Sequence, residues 1–337
     1  RIMREKIVIE LEDRNLQINQ SKSLGIAYKG LGFLEKSIDC FQSMLRITHE
    51  ITDQHGQIDA LNELSNIYRR LARYSEAVDC SQEALEIARE MGERLGEGRT
   101  LGDLGKTCWC LGKYEEATSY CLQSLEITNE LGDQNTRAYV LGCLGDIKLS
   151  LKQLHDALAY YDQALEIFRE IGNRQGEGYI LQNLGYAYLY LSNFEEAIKY
   201  SEEGLVIYNE IENQRGIGHG AFVLARIYHA KEDFSMAIKH AEIAANALAE
   251  TKVPEASTAQ SLVEAIKAST LGDKFTEAQA FLNCAKNPPN VGDIVESLDF
   301  AKKARSLADS IERTDISKEA QNFIDLTSKK LLVQAKI

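Results

Sequence analysis

The chain has 337 residues, 44% of them hydrophobic and 26% charged, and a formal net charge of −13. Those numbers fit a soluble folded chain of one large or two ordinary domains, and so acidic a balance argues against a broad nucleic-acid surface. No apolar run approaches the roughly 18–20 residues of a membrane span, and seven cysteines without paired spacing fit a reducing, cytoplasmic compartment better than a disulfide framework.

Only three prolines occur, all at or after Pro254. Because a proline inside a helix costs about 3 kcal/mol, the proline-free stretch before them implies long, uninterrupted helices. The first residues, 1–20, contain "IVIELEDRN", with Ile7 and Leu11 at positions 27 and 31 of a preceding block. The expectation is a chain cut from a longer protein that starts inside the second helix of an earlier repeat.

From Ser21 the sequence stacks on itself in blocks of 40 that begin at Ser21, Leu61, Leu101, Leu141, Leu181 and Ala221. The fourth position reads Leu24, Leu64, Leu104, Leu144, Leu184, Leu224. The seventeenth reads Ser37, Ala77, Ala117, Ala157, Ala197, Ala237. A fixed period in this range is the mark of a stacked repeat and outranks any single motif. Within one block, Leu104, Cys108 and Leu111 fall on one helical face. Gly112-Lys113 makes a turn, and a second helix from Tyr114 ends at Leu131 before Gly132-Asp133. Gly105 and Ala117 are small where two helix backbones meet. Each block is a helix pair that cannot bury its apolar faces alone.

The six blocks cover residues 21–260, and residues 261–337 keep helical patterns without the motif residues. Asn287-Pro288-Pro289-Asn290 breaks the chain, with helices expected near 293–312 and 317–333. This end reads as a degenerate repeat followed by capping helices.

Three chemical motifs crowd into "RTLGDLGKTCWCLG", residues 99–112, and each has a plainer explanation. A phosphate loop needs a glycine five residues before the glycine of Gly105-Lys106-Thr107, where Thr100 stands, and a free helix N-terminus. Cys108 and Cys110, two apart on a helix, face different directions, so core packing outweighs metal binding. The six histidines form no i, i+4 pair, and no arrangement resembles a catalytic one. The sequence points to no enzyme, metal or cofactor.

Leu184-Gly185, Tyr188, Ala197 and Gly204 resemble the tetratricopeptide consensus. The 40-residue period departs from the usual 34 or so, and the closing proline is replaced by "GERLGEGRTL", "GDQNTRAYVL" and "GNRQGEGYIL". This is similar to the extended repeats of LGN/Pins-like scaffolds and many bacterial arrays. The resemblance implies an all-α fold, a right-handed α-solenoid of stacked antiparallel helix pairs whose first helices line a concave face. It also implies that the second, sixth, ninth, tenth and thirty-ninth positions face the groove. These are Asn66, Arg69, Arg70, Arg99, Lys106, Trp109, Tyr139, Tyr179, Tyr186, Tyr190, Arg226 and His229, with Arg73 and Lys113 at the adjoining turns.

That stripe is basic and aromatic on an acidic chain. The bland reading is an ordinary solvated helix face. The sharper one is a protein-interaction scaffold whose groove holds a partner segment with acidic and apolar side chains, through Arg–carboxylate contacts and rigid aromatic area. A regulatory or sensor module of a larger effector, fused to an NTPase, protease-like or kinase domain, is the alternative that the resemblance offers. Nucleic acid is disfavoured by the charge, and no membrane partner is expected. The carboxylate clamp of chaperone-binding relatives does not carry over, because Lys22 and Asn66 match it but Ile26 and Gly102 do not.

Overall fold

The computed structural model describes residues 2–251, 255–286 and 294–334, with side chains described for 12–249, 256–286 and 297–328. Asn287-Pro288-Pro289-Asn290 and Pro254 lie outside the described residues.

Among the described residues every regular element is a helix. In pairs they are α1 (Ile2–Gly30) with α2 (Leu34–Glu50), α3 (Gln54–Arg70) with α4 (Tyr74–Met91), and α5 (Arg94–Cys110) with α6 (Tyr114–Leu131). Then come α7 (Gln134–Ser150) with α8 (Leu154–Glu170), α9 (Arg174–Tyr190) with α10 (Phe194–Glu210), and α11 (Gln214–Ala230) with α12 (Phe234–Thr251). The chain closes with α13 (Glu255–Leu271), α14 (Lys274–Lys286), α15 (Ile294–Ser310) and α16 (Thr314–Gln334). Turns of two or three residues join most of them, so neighbours run antiparallel and the stack is an α-solenoid.

The turns share one geometry. A left-handed residue recurs every 20 positions from Gly32 through Thr52, Ala72, Gly92, Gly112, Gly132, Lys152, Gly172, Ser192 and Glu212 to Glu232. At Gly112 the Lys113 N–H donates to the Cys108 carbonyl (2.9 Å) and the Gly112 N–H to the Trp109 carbonyl (2.9 Å), which closes the helix end with a Schellman motif. Turns between pairs add a side-chain cap. Asp53, Asp133, Asn173 and Asn213 each accept from a backbone N–H three residues on, at 2.9–3.1 Å, and so satisfy an orphan donor of the next helix. The glycine inside "GNRQG" follows from that cap and from the previous helix: a Cβ on Gly176 would sit 2.5 Å from the Phe168 ring.

Small residues hold each pair together. Ala77, Ala117, Ala157, Ala197 and Ala237 are fully buried, and a Cβ on Gly105 would lie 2.5 Å from the Cys121 sulfur and 3.3 Å from the Ala117 carbonyl. The fourth-position leucines from Leu64 to Leu224 are buried, whereas Leu24 is 52% exposed. The eleventh-position leucines belong instead to the turns, and Leu31 and Leu151 are exposed there.

The N-terminus differs from the expectation. No turn separates residues 2–20 from the first pair, because Ile2–Gly30 is one helix. Glu12 falls where the 20-residue phase would put a left-handed turn, yet it stays helical. The blocks are also offset from the folded pairs, which start at residues such as Gln54 and Arg94, seven positions before each block.

Curvature follows from which helices approach each other. The first helices α3, α5, α7, α9 and α11 pack successively on one another, and the second helices α2 to α12 do not to that degree. The layer of closer approach is the inside of a bend, so the odd-numbered helices line the concave face. The last helices fold back towards it. Phe281 of α14 stacks on Phe300 of α15 (6.0 Å between centroids), and Phe300 meets Phe222 of α11 edge-on at 6.5 Å.

Candidate binding surface on the inner face

Along α1 to α5 the inward cations pair with acids one repeat away. Lys22 meets Asp59 (2.6 Å), Lys29 meets Glu63 (2.5 Å), Arg69 meets Asp103 (3.6 Å) and Arg99 meets Asp133 (3.3 Å). Asp103 keeps 30% of its side chain open to solvent, yet burial raises its carboxyl against the pull of Arg69. A group both accessible and desolvated is what the inside of a curve provides. Asn66 is half-buried on α3. At the turns, Arg73 is exposed, bonded to Glu76 at 2.8 Å and stacked over Tyr68 at 4.6 Å, and Lys113 bonds Glu116 at 3.1 Å. The basic character expected of this half is therefore largely neutralised within the chain.

The middle of the inner face is organised around Asp146 of α7. Its carboxylate accepts from Lys106 of α5 and Tyr179 of α9, and at 2.9 Å from both Tyr161 of α8 and Asn183 of α9. Burial works against the Lys106 charge, but Asp146 overrides it and raises the ammonium well above its usual value. Lys106 also stands 4.2 Å over the Trp109 ring and bonds the Tyr179 hydroxyl at 2.7 Å. Burial, then Asp146, pushes the Tyr179 phenol upward. Trp109, expected as an open platform, is only 8% exposed and donates its Nε1–H to Ser150 at 3.0 Å. Tyr139 is the exposed ring here, edge-on to Phe168 at 4.8 Å.

At the C-terminal end three expected residues come together. The Arg226 guanidinium of α11 lies 5.5 Å from the Tyr186 ring, 6.0 Å from Tyr190 and 5.2 Å from Phe300. Beside it, Lys303 of α15 stands 4.4 Å over Phe281, with its Nζ 3.3 Å from Nδ1 of His229. Burial, aided by Lys303 and Arg226, pushes His229 down to about 4, so it is neutral at pH 7.

The sequence analysis missed Asp146, Asn183, Phe281, Phe300 and Lys303. Asp146 occupies the same sixth position as Lys106, 40 residues on, so superposed blocks show the complementary charge. The other four lie at positions outside the groove template or beyond the regular blocks.

The motifs of residues 99–112 resolve as packing. Gly105-Lys106-Thr107 lies inside α5, where Thr107 Oγ donates to the Asp103 carbonyl at 2.8 Å. Burial pushes the Cys108 and Cys110 thiols up to about 12 and about 11, away from the reactive thiolate. Among the described residues no group of three or more His, Cys, Asp or Glu side chains could hold a metal ion. No described helix is long and apolar enough to cross a membrane.

The sequence matches the tetratricopeptide repeat over residues 17–90, 73–130, 96–170 and 136–210, together more than half of the chain. The chain belongs to the tetratricopeptide-repeat family. No curated protein matches this family member in sequence. Among solved structures it is similar to a Rap protein complexed with Competence and Sporulation Factor, with a TM-score of 0.72 at 15% identity over 96% of this chain and 99% of that one. It is also similar to the Rap conjugation gene regulator of plasmid pLS20 in complex with the Phr* peptide (TM-score 0.60, 12% identity, 96% of each chain). A third is the tetratricopeptide sensor-bearing signal-transduction ATPase of Pyrococcus horikoshii (TM-score 0.56, 18% identity), where the match covers 94% of this chain and 48% of that one. At these identities the likeness is one of fold.

Proposed function

We propose that this tetratricopeptide array is a protein-interaction scaffold that takes a partner segment along its inner face. The observation that carries this is the unbroken inner layer α3–α11, a concave surface lined by polar and aromatic side chains. Asn66, Arg69, Arg99, Tyr139, Tyr179, Tyr186, Tyr190 and Arg226 offer polar and aromatic contact to that segment, while Lys106 and Trp109 act mainly as the packed floor. Arg73 sits at the rim. Two proteins of similar fold are solved with a bound partner, Competence and Sporulation Factor and the Phr* peptide, which supports the same use here. The similar sensor-bearing ATPase favours a second reading, in which the array senses a ligand for an attached effector domain.

The test is to select short peptides from a displayed random library and to map where they sit. A photo-cross-linking residue replaces Tyr139 on the inner face or Leu122, exposed on α6. Cross-links from position 139 and none from position 122 are expected. Equal yields at the two positions, or no selected peptide, contradict the proposal.

A further inference from the structure

One exposed helix face of the array is apolar and carries no charge. On α1, Leu16, Gln20, Leu24, Ala27 and Leu31 follow one another at spacings of three and four, so they share one side, and all five are exposed. Leu16, Leu24 and Leu31 each keep more than half of their surface open. Between Asn15 and Phe33 the only charged residues are Lys22 and Lys29, and both turn to the inner face, where they pair with Asp59 and Glu63. Glu12 and Asp13 are exposed beyond one end of the stripe. Between α1 and α2 the face opens into a groove of about 340 Å³, lined by Gln20, Ser21 and Leu24 on one side and by Ser43, Arg46 and Ile47 on the other.

Inside the array the matching leucines, Leu64 to Leu224, are buried. The α1 face is not built to be covered in the same way. Leu16 stands where later pairs have Gly56, Gly96, Thr136, Gly176 and Gly216. A Cβ on Gly56 would already lie 2.5 Å from Thr48 of the preceding second helix. A leucine at that place holds any covering helix further off than the array's own spacing.

We infer that the outward side of α1 is a self-association surface, on which α1 of a second copy of this chain packs about a two-fold axis. The charge favours that occupant. Copies of net charge −13 repel one another, and the exposed sides of α4, α6, α8 and α10 all carry Asp or Glu. At α1 two copies meet without acid opposing acid, and Glu12 and Asp13 stay at the solvated rim. Depletion of charge at the centre of a contact is the compositional mark of a protein interface. Gln17, Asn19 and Gln20 each offer a donor and an acceptor, so the same patch complements itself across a two-fold axis. The protruding leucines of one copy fill the groove beside Leu24 of the other. Lys22 and Lys29 stay on the inner face, outside the contact.

The experiment uses the full chain. Sedimentation equilibrium over a series of concentrations is expected to show a mass rising from one chain to two. Leu24→Glu and Leu16→Glu place like charges opposite each other, so each should weaken the dimer about tenfold or more. Leu122→Glu, on the exposed side of α6, should leave it unchanged. All three leucines are exposed, and thermal unfolding checks that the variants fold. A photo-cross-linking residue at position 24 should join two copies, with the adduct on α1 of the second. A one-chain mass at every concentration overturns the inference. So does a dimer that keeps its affinity in Leu24→Glu and Leu16→Glu, or one whose cross-links from position 24 fall on α16 or on the second helices α4 to α12. The inner-face reading does not depend on the result.

Discussion

Lys106 and Lys303 both stand about 4 Å over an aromatic ring on the inner face, Trp109 in one case and Phe281 in the other. Their electrostatic settings are opposite. Lys106 is locked to a buried carboxylate that three further donors hold in place, and its charge is stabilised. Lys303 has a neutral imidazole and a neighbouring arginine, and its charge is disfavoured, with a pKa of about 8. The same pairing of cation and ring thus sits in a charge-stabilising setting in the middle of the array and in a charge-disfavouring one at its end. A residue type at a groove-facing position does not define a binding residue; the partner it already has decides.

The sharpest way to break this comparison is to remove Asp146. Asp146→Ala strands a buried ammonium and orphans the Tyr161, Tyr179 and Asn183 donors, so a loss of about 3–5 kcal/mol is expected in urea unfolding. Arg226→Gln, which changes ring-face contacts on the groove wall, should cost about 1 kcal/mol. Equal losses would mean that the two regions are not different in kind.

His229 sharpens the comparison through pH. Its folded pKa, about 4, lies below the ordinary 6.5, so the unfolded chain binds the extra proton first. Stability should be intact above pH 6.5 and fall as pH drops towards 4, by at most about 3 kcal/mol from this residue. His229→Phe should flatten that part of the curve in denaturation series at several pH values. An unchanged slope would show that the imidazole is not held neutral beside Lys303.

The smallest effect tests the frame that carries both regions. Ala72 adopts a left-handed conformation (φ 58°) without the freedom of glycine. Ala72→Gly should stabilise the protein by about 0.5–1 kcal/mol, read as a higher thermal midpoint. A lower midpoint would contradict the shared turn geometry.

Much of the frame was legible before any coordinates. Gly105, Ala117 and the fourth-position leucines repeat because every pair packs in the same way, and Gly132-Asp133 marks a turn through its own backbone chemistry. The start of the chain was misread because Ile7 and Leu11 keep helical spacing whether or not a turn follows. Only the backbone at Glu12 distinguishes one long helix from two. In the candidate site, residue identity was legible and pairing was not. The periodic positions singled out Lys106, Trp109, Arg226 and His229, but burial of Trp109 depends on α7, and the company of His229 and Arg226 depends on α14 and α15. Those two helices lie past the point where the 40-residue register ends, and no pattern in the sequence brings Phe300 and Lys303 to α11.

The most direct measurement is a crystal structure of the protein with its tightest selected peptide. The account predicts a peptide lying along α5 to α11 on the concave side, with the Lys106–Asp146 pair intact beneath it. A peptide seated on the second helices, or one that opens the Lys106–Asp146 pair, would contradict it.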